Sequence, residues 1–327
     1  MKRINFLTLT AAAVLSLSAV SCNTSASVSS SVPEDRSQEW KALEQPLNFY
    51  IANDLGRNGY YDQKPIAETM GRMAETIDIE FVVAAGDVHH FEGVQSVSDP
   101  LWMTNYELIY SHPDLMTPWY AICGNHEYRS NTQACIDYSQ VSARWNMPSR
   151  YYTFVKEEDG VEIRIVMIDT TPLIDKYREE TDKYADASKS DYREQLAWLD
   201  RTLSEADEDW VIVVGHHPIY AYTDKDESER TDMQERVNSI LLRHDNVDMY
   251  VCGHLHTFQH IRKDGSDIDY VVNTSGSLSR DVEAVDGTVF CSSESGWSLV
   301  TVSADTLSLH MLDKTGKVLH TVMRTKR

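Results

Sequence analysis

The chain is poor in cysteine and in basic residues, and beyond its N-terminal segment it has no long hydrophobic run. Five cysteines in 327 residues, with no C-x-x-C pair, argue against a thiolate zinc site. Lysine and arginine total 30 against 51 aspartates and glutamates, a formal charge of −21. That balance argues against nucleic acid or an anionic membrane surface as the main partner. It leaves room for a small anionic substrate, because bound cations invert the field locally. No Gly-x-Ser-x-Gly elbow and no Gly-x-x-x-x-Gly-Lys loop occurs, so a covalent serine route and NTPase chemistry are unsupported. Internal repeats are absent too. With 42% hydrophobic and 25% charged residues, the chain is neither a disordered nor a fibrous protein.

The N-terminus reads as an address. Lys2 and Arg3 precede an apolar and small run from Ile4 to Val20, short and light for a membrane-spanning helix. Ala19-Val20-Ser21-Cys22 then resembles a bacterial lipoprotein signal. Residues 1–21 are expected to be cleaved, leaving Cys22 lipidated as the mature N-terminus on an exported, cell-envelope protein. A plain secretory signal is the simpler alternative. The Ser-rich stretch from Asn23 opens an expected tether over residues 22–45, and membrane contact is expected only through the lipid. Of the other cysteines, Cys123 and Cys252 end apolar runs and read as buried free thiols; no pairing with Cys135 or Cys291 is assigned.

From Pro46 onward no change of composition marks a second domain, so residues 46–327 read as one. Short runs rich in β-branched and aromatic residues read as buried strands: Leu47 to Ala52, Phe81 to Ala85, Tyr120 to Cys123, Ile163 to Ile168, Val211 to Val214, Met249 to Val251 and Tyr270 to Val272. Helical spacing covers Lys64 to Ile77, Asp191 to Ala206 and Asp232 to Arg243. The alternation predicts an α/β protein. The end differs: Ser298 to Val302, Thr306 to Leu312 and Val318 to Met323 read as successive strands of a meander, with a turn at Asp313-Lys314-Thr315-Gly316. The acidic clusters Glu157-Glu158-Asp159 and Glu205 to Asp209 read as solvated loops or helix ends.

The residues just past the strand ends carry the chemistry. Asn53-Asp54-Leu55-Gly56, Gly86-Asp87-Val88-His89-His90, Gly124-Asn125-His126-Glu127, Gly215-His216-His217-Pro218 and Gly253-His254-Leu255-His256 each end an apolar run. In α/β sheets ligands collect at the carboxyl ends of strands. One such block is usually only a turn. Five in order, with carboxylate, imidazole and amide donors, suit Zn, Fe or Mn.

These ordered blocks resemble those of the calcineurin-like metallophosphoesterases, and most closely the small tartrate-resistant purple acid phosphatases. Phe91-Glu92-Gly93-Val94-Gln95, Trp145 to Tyr152, Ile168-Asp169-Thr170 and Gln195-Leu196-Ala197-Trp198-Leu199 extend the resemblance over roughly Pro46 to Met323. It implies two facing mixed β-sheets flanked by helices, a four-layer sandwich with two metal ions at one edge. It implies Asp54 and His256 on the first metal, Asp87 bridging, and Asn125, His216 and His254 on the second. His126 would touch the substrate as the catalytic group. Glu127 would orient His126 or cap the turn, and His217 and His260 would orient ligands.

Two departures stand out. Where the purple enzymes carry the iron-binding tyrosine, this chain has His90, a neutral ligand that favours two divalent ions (Fe, Zn or Mn) over Fe(III). His89 beside it reads as a neighbour without a metal. Where several purple enzymes place a substrate histidine, this chain has Lys225, either a point charge for phosphate or a solvated loop residue. The expected activity is hydrolysis of a small phosphate monoester by a hydroxide formed on two metals. A phosphodiesterase acting, for example, on cyclic nucleotides is the alternative, disfavoured because many of those enzymes have His where Gly56 stands. A binding protein that keeps the fold without catalysis is a third reading.

Overall fold

The computed structural model describes residues 35–326; the expected leader, the expected lipidation site Cys22 and the first part of the expected tether lie outside them. The apolar runs form strands because their branched and aromatic side chains are buried on both faces. β1 (Leu47–Ala52), β2 (Phe81–Ala85) and β7 (Trp210–Val214) have no accessible residue. Two seven-stranded mixed sheets result. In the first, β3 (Trp119–Ile122) and β4 (Trp145–Asn146) continue β1 and β2 in parallel. On its other side β12 (Gly296–Val302), β13 (Thr306–Asp313) and β14 (Val318–Thr325) run antiparallel as the expected meander. In the second sheet β5 (Tyr152–Glu158), β6 (Val161–Met167), β7, β8 (Met249–Cys252), β10 (Asp269–Val272), β9 (Phe258–Ile261) and β11 (Thr288–Ser292) lie in that spatial order.

Aromatic packing joins the sheets. Tyr120 of β3 stacks on Phe154 of β5 with centroids 3.9 Å apart, and Phe81 meets Phe154 edge-on at 5.7 Å. Hydrogen bonds cross at the strand ends: Tyr152 Oη donates to Ala121 O (2.9 Å) and Asn273 Nδ2 to Ile51 O (3.0 Å). Register then aligns the site. Ala52 pairs with Ala84, Ala85 with Ile122 and Val214 with Val251, so the five blocks leave their strands at one edge.

Several sequence expectations are corrected. The tether does not run to residue 45: Ser37–Lys41 is a helix whose Trp40 is buried and donates Nε1–H to Gly316 O (2.8 Å). Burial of the indole against the last hairpin turn holds this segment on the domain. The helix expected from Asp232 begins earlier, at Glu227, and passes through a wider turn at Gln234–Asn238. Four strands, β4, β5, β9 and β11, go beyond the sequence expectation. β4, β5 and β11 are sheet edges and β9 is a four-residue interior strand with two polar residues, so the period-two signal is weak in all four. Glu157 and Glu158 end β5, and Asp159 forms the turn into β6 with Gly160. Cys123 and Cys252 are buried free thiols, as expected.

Candidate metal centre

Burial of both acids is the starting constraint. Asp54 and Asp87 are enclosed, which is costly for carboxylates unless they are paired or hold a cation. Asp54 Oδ2 accepts from Asn53 Nδ2 (2.7 Å) and from His254 N (2.8 Å), while Oδ1 faces His256 Nε2 at 3.0 Å. Asp87 Oδ1 accepts from His126 N (2.9 Å). Its Oδ2 sits among three imidazoles: His216 Nε2 at 3.1 Å, His90 Nε2 at 3.5 Å and His126 Nε2 at 3.8 Å. Asp54, Asp87, His254 and His256 all adopt left-handed backbone, φ 52°, 53°, 72° and 61°. Such conformations cost on the order of 1–3 kcal/mol each and collect at functional sites.

Small residues let the loops close. A Cβ on Gly124 would lie 2.2 Å from Asp87 Oδ1, and one on Gly253 would lie 2.6 Å from Asp54 Oδ2. Glu127 ties the loops together. Its Oε2 accepts from Gly124 N (2.7 Å) and Asp87 N (2.9 Å), and its Oε1 accepts from His89 N (3.0 Å). It therefore staples two ligand loops through their backbones and holds the segment carrying His126 only indirectly. Burial and the charge of Asp87 push its carboxyl upward, against the pull of the N–H donors.

Three of the histidines are aimed by one ring nitrogen, which leaves the other for the centre. His216 Nδ1 donates to Ala85 O (2.9 Å) and His256 Nδ1 to Leu278 O (2.6 Å), which leaves both Nε2 atoms for the centre. His254 differs: its Nε2 lies 3.1 Å from Glu229 Oε2 and 2.8 Å from Lys225 Nζ. Donation to Glu229 leaves Nδ1 as the free donor atom. Lys225 then donates to His254 O (3.2 Å). Glu229 is itself held by Lys176 Nζ (2.6 Å) and Tyr177 Oη (3.1 Å). Lys225 is therefore not a solvated loop residue.

The donor set fits metal. Asp54 Oδ1, both nitrogens of His90, Asn125 Oδ1, His216 Nε2 and His217 Nε2 are buried without a hydrogen-bond partner. Ligand atoms of Asp54, His90 and His256 converge within 4.8 Å, as do those of Asp54, Asp87 and His216, and those of His216, His217 and His254. Asp87 also groups with His90 and His126, so it faces both halves of the set. Burial would lower the His216 imidazole, yet Asp87 raises it to about 9: two enclosed carboxylates draw positive charge into the site. His126, less buried than the ligands, has its imidazole pushed down to about 3 by burial.

The other expected residues divide. His217 Nδ1 meets Thr170 Oγ1 at 2.8 Å, and Thr170 Oγ1 also accepts from His216 N (3.2 Å). His260 does not pair with a donor of the centre; it pairs with Asp269 of β10 (2.7 Å) and His320 of β14 (3.0 Å). His89 is buried against Trp102, with ring centroids 4.6 Å apart. Glu229 escapes sequence reasoning because it lies in the helical turn ahead of the expected start, and charge spacing alone cannot tell an inward acid from a solvated one. The same holds for Arg57, which is buried at the mouth.

Two substitutions test this arrangement. Glu127→Gln places an amide donor against backbone N–H groups and should lower stability by about 1–3 kcal/mol in urea denaturation, with loss of metal content. Unchanged stability would mean the staple is dispensable. Glu229→Ala should weaken metal binding about 10–100-fold in chelator competition, whereas wild-type affinity would show that His254 needs no orienting acid.

Residues 47–258 match the family model described as calcineurin-like phosphoesterase. Purple acid phosphatase 4 of Arabidopsis thaliana is 31% identical over 288 residues, 84% of this chain and 82% of that protein. Tartrate-resistant acid phosphatase type 5 of Oryctolagus cuniculus is 32% identical over 217 residues, 65% of this chain and 66% of that protein. Among solved structures, GAP50, described as the anchor in the inner membrane complex of Plasmodium, shares the fold. Its TM-score is 0.73 at 21% identity, covering 86% of this chain and 89% of that one. A match over most of the domain, with the expected donors converging in space, makes this chain a member of the calcineurin-like phosphoesterase family, with purple and tartrate-resistant acid phosphatases among its relatives.

Proposed function

We propose that the chain hydrolyses phosphate monoesters at a centre of two divalent ions. The observation that carries this reading is the set of buried, unpartnered donor atoms around Asp87 Oδ2 beside a more open His126. Asp54, His90 and His256 would hold one ion, Asn125, His216 and His254 the other, and Asp87 both. When bound, the ions supply Lewis-acid charge for the phosphoryl oxygens and acidify water. The chain's own residues orient the rest. His126 Nδ1 is committed to Phe91 O (2.5 Å), so Nε2 is left to exchange a hydrogen bond with a phosphoryl or leaving oxygen. The Lys225 ammonium, held at His254, adds positive charge toward a phosphate dianion.

A monoester is favoured over a diester by Gly56. A Cβ there would lie 2.2 Å from Val88 O, so this backbone has no room for the histidine many diesterases carry. The N-terminal sequence supports an envelope position, with a lipid on Cys22, and so hydrolysis outside the cytoplasm.

In an assay of purified, metal-loaded protein, an aryl monoester should turn over faster than the matching diester. His126→Ala should cut turnover about 10²–10⁴-fold with metal content intact. Diester preference would move the assignment to a phosphodiesterase, and no hydrolysis of either would favour a binding protein. The absence of a tyrosine at position 90 predicts a pale protein. His90→Tyr, supplied with iron, should gain an intense visible band; no band with iron bound would show that residue 90 is not a ligand.

A further inference from the structure

Three of the large apolar side chains that remain exposed lie together at the mouth of the metal centre. Tyr60, Tyr61 and Phe91 are 72%, 63% and 68% exposed, and with Arg57, Asn58 and His90 they line one cavity of about 430 Å³. His90 is shared: its ring faces this cavity, and its Nε2 lies 3.5 Å from Asp87 Oδ2. Anything seated here is therefore beside the phosphoryl position.

The loop is built to present these rings. Gln63 Oε1 accepts from Arg57 N (3.0 Å) and Gly59 N (2.7 Å), and Asn105 Oδ1 accepts from Asn58 N (2.6 Å). Tyr61 is held at φ 56°, a conformation that costs a bulky residue energy. A strained, well-bonded backbone with its aromatic rings turned to water gains nothing from its own packing, and it is preorganised for a ligand. Arg57 completes the wall. Its guanidinium carbon lies 4.8 Å from the centroid of the Phe91 ring, and its buried Nε and Nη1 have no hydrogen-bond partner.

We propose that Arg57, Tyr60, Tyr61 and Phe91 form a leaving-group subsite for a planar aromatic ring esterified directly to the phosphate. The inference rests on the monoesterase reading and names its substrate class. Proximity selects the ring's position. His90 separates the cavity from the centre by a single side chain, so the subsite receives a ring attached at the ester oxygen. A base carried on an intervening ribose would be set further out. Flat aromatic walls prefer offset or edge contacts with such a ring, and Arg57 adds a cation over its face or a donor to a phosphoryl oxygen.

The test separates this subsite from the activity. Wild type and Tyr60→Ala/Tyr61→Ala, both metal-loaded, are compared on phenyl phosphate, glycerol phosphate and adenosine 5′-monophosphate. Binding of phenylphosphonate and methylphosphonate is measured by calorimetry. The exposed positions of both tyrosines make the double variant a mild one for folding, and Phe91→Leu gives an independent second variant. The ratio of kcat/KM for phenyl phosphate to that for glycerol phosphate should fall about 5–30-fold in the double variant, the worth of one or two aromatic contacts. The preference for phenylphosphonate over methylphosphonate should fall in parallel. An unchanged ratio and an unchanged binding preference would overturn the subsite. A loss confined to adenosine 5′-monophosphate would overturn the substrate class, because the rings would then read a base. If wild type hydrolyses no ester yet prefers phenylphosphonate, and the variants lose that preference, the subsite stands and the monoesterase reading fails.

Discussion

Glu127 accepts three backbone hydrogen bonds, from Asp87, His89 and Gly124, and the two loops it joins carry Asp87, His90, Asn125 and His126. A buried acid whose hydrogen-bond donors are all main chain acts as an internal fastener, because a shift of either loop leaves a donor or an acceptor unsatisfied. The position of Asp87 between the two halves of the donor set depends on this tie. With its backbone fixed at φ 53°, its two carboxylate oxygens divide their work, one bonding His126 N and the other facing three imidazoles.

The second sheet supplies the opposite half of the centre through a different device. His216 and His254 are not fastened by one acid but aimed individually, by a strand-end carbonyl and by Glu229. The two sheets meet through Tyr120, Phe154 and Phe81 and through Asn273, whose amide bonds Ile51 O and Asn53 Oδ1 (2.7 Å). Packing between sheets is thus what brings the ligands of β1 and β2 within reach of those of β7 and β8. The buried acids and the strained loops oppose folding by themselves. The cations that the donors fit would relieve the electrostatic part of that cost and so couple metal binding to stability.

Function divides along the same line. The donor set is enclosed, whereas Tyr60, Tyr61 and Phe91 beside it are exposed around an open cavity. On the proposed reading, reaction type belongs to the first and substrate choice to the second. This is the usual separation between a scaffolded centre and the loops above it.

The strand cores, the order of the five ligand blocks and the glycines beside them are all readable in the chain, because a doubly buried strand is a continuous apolar run and a sharp exit from it needs a residue without a Cβ. Family membership is readable for the same reason, since it rests on ordered short motifs. Which polar residues face the centre is decided only in three dimensions. His260 and His217 look alike in the sequence, yet one pairs with Asp269 and the other packs beside His254. Glu229 and Glu227 lie in one helical turn, and only the first is buried against a ligand. The sequence carries residue type and spacing. The direction of a side chain comes from twist, register and the packing of one sheet on the other, and that decided Glu127, Lys225 and the aromatic mouth.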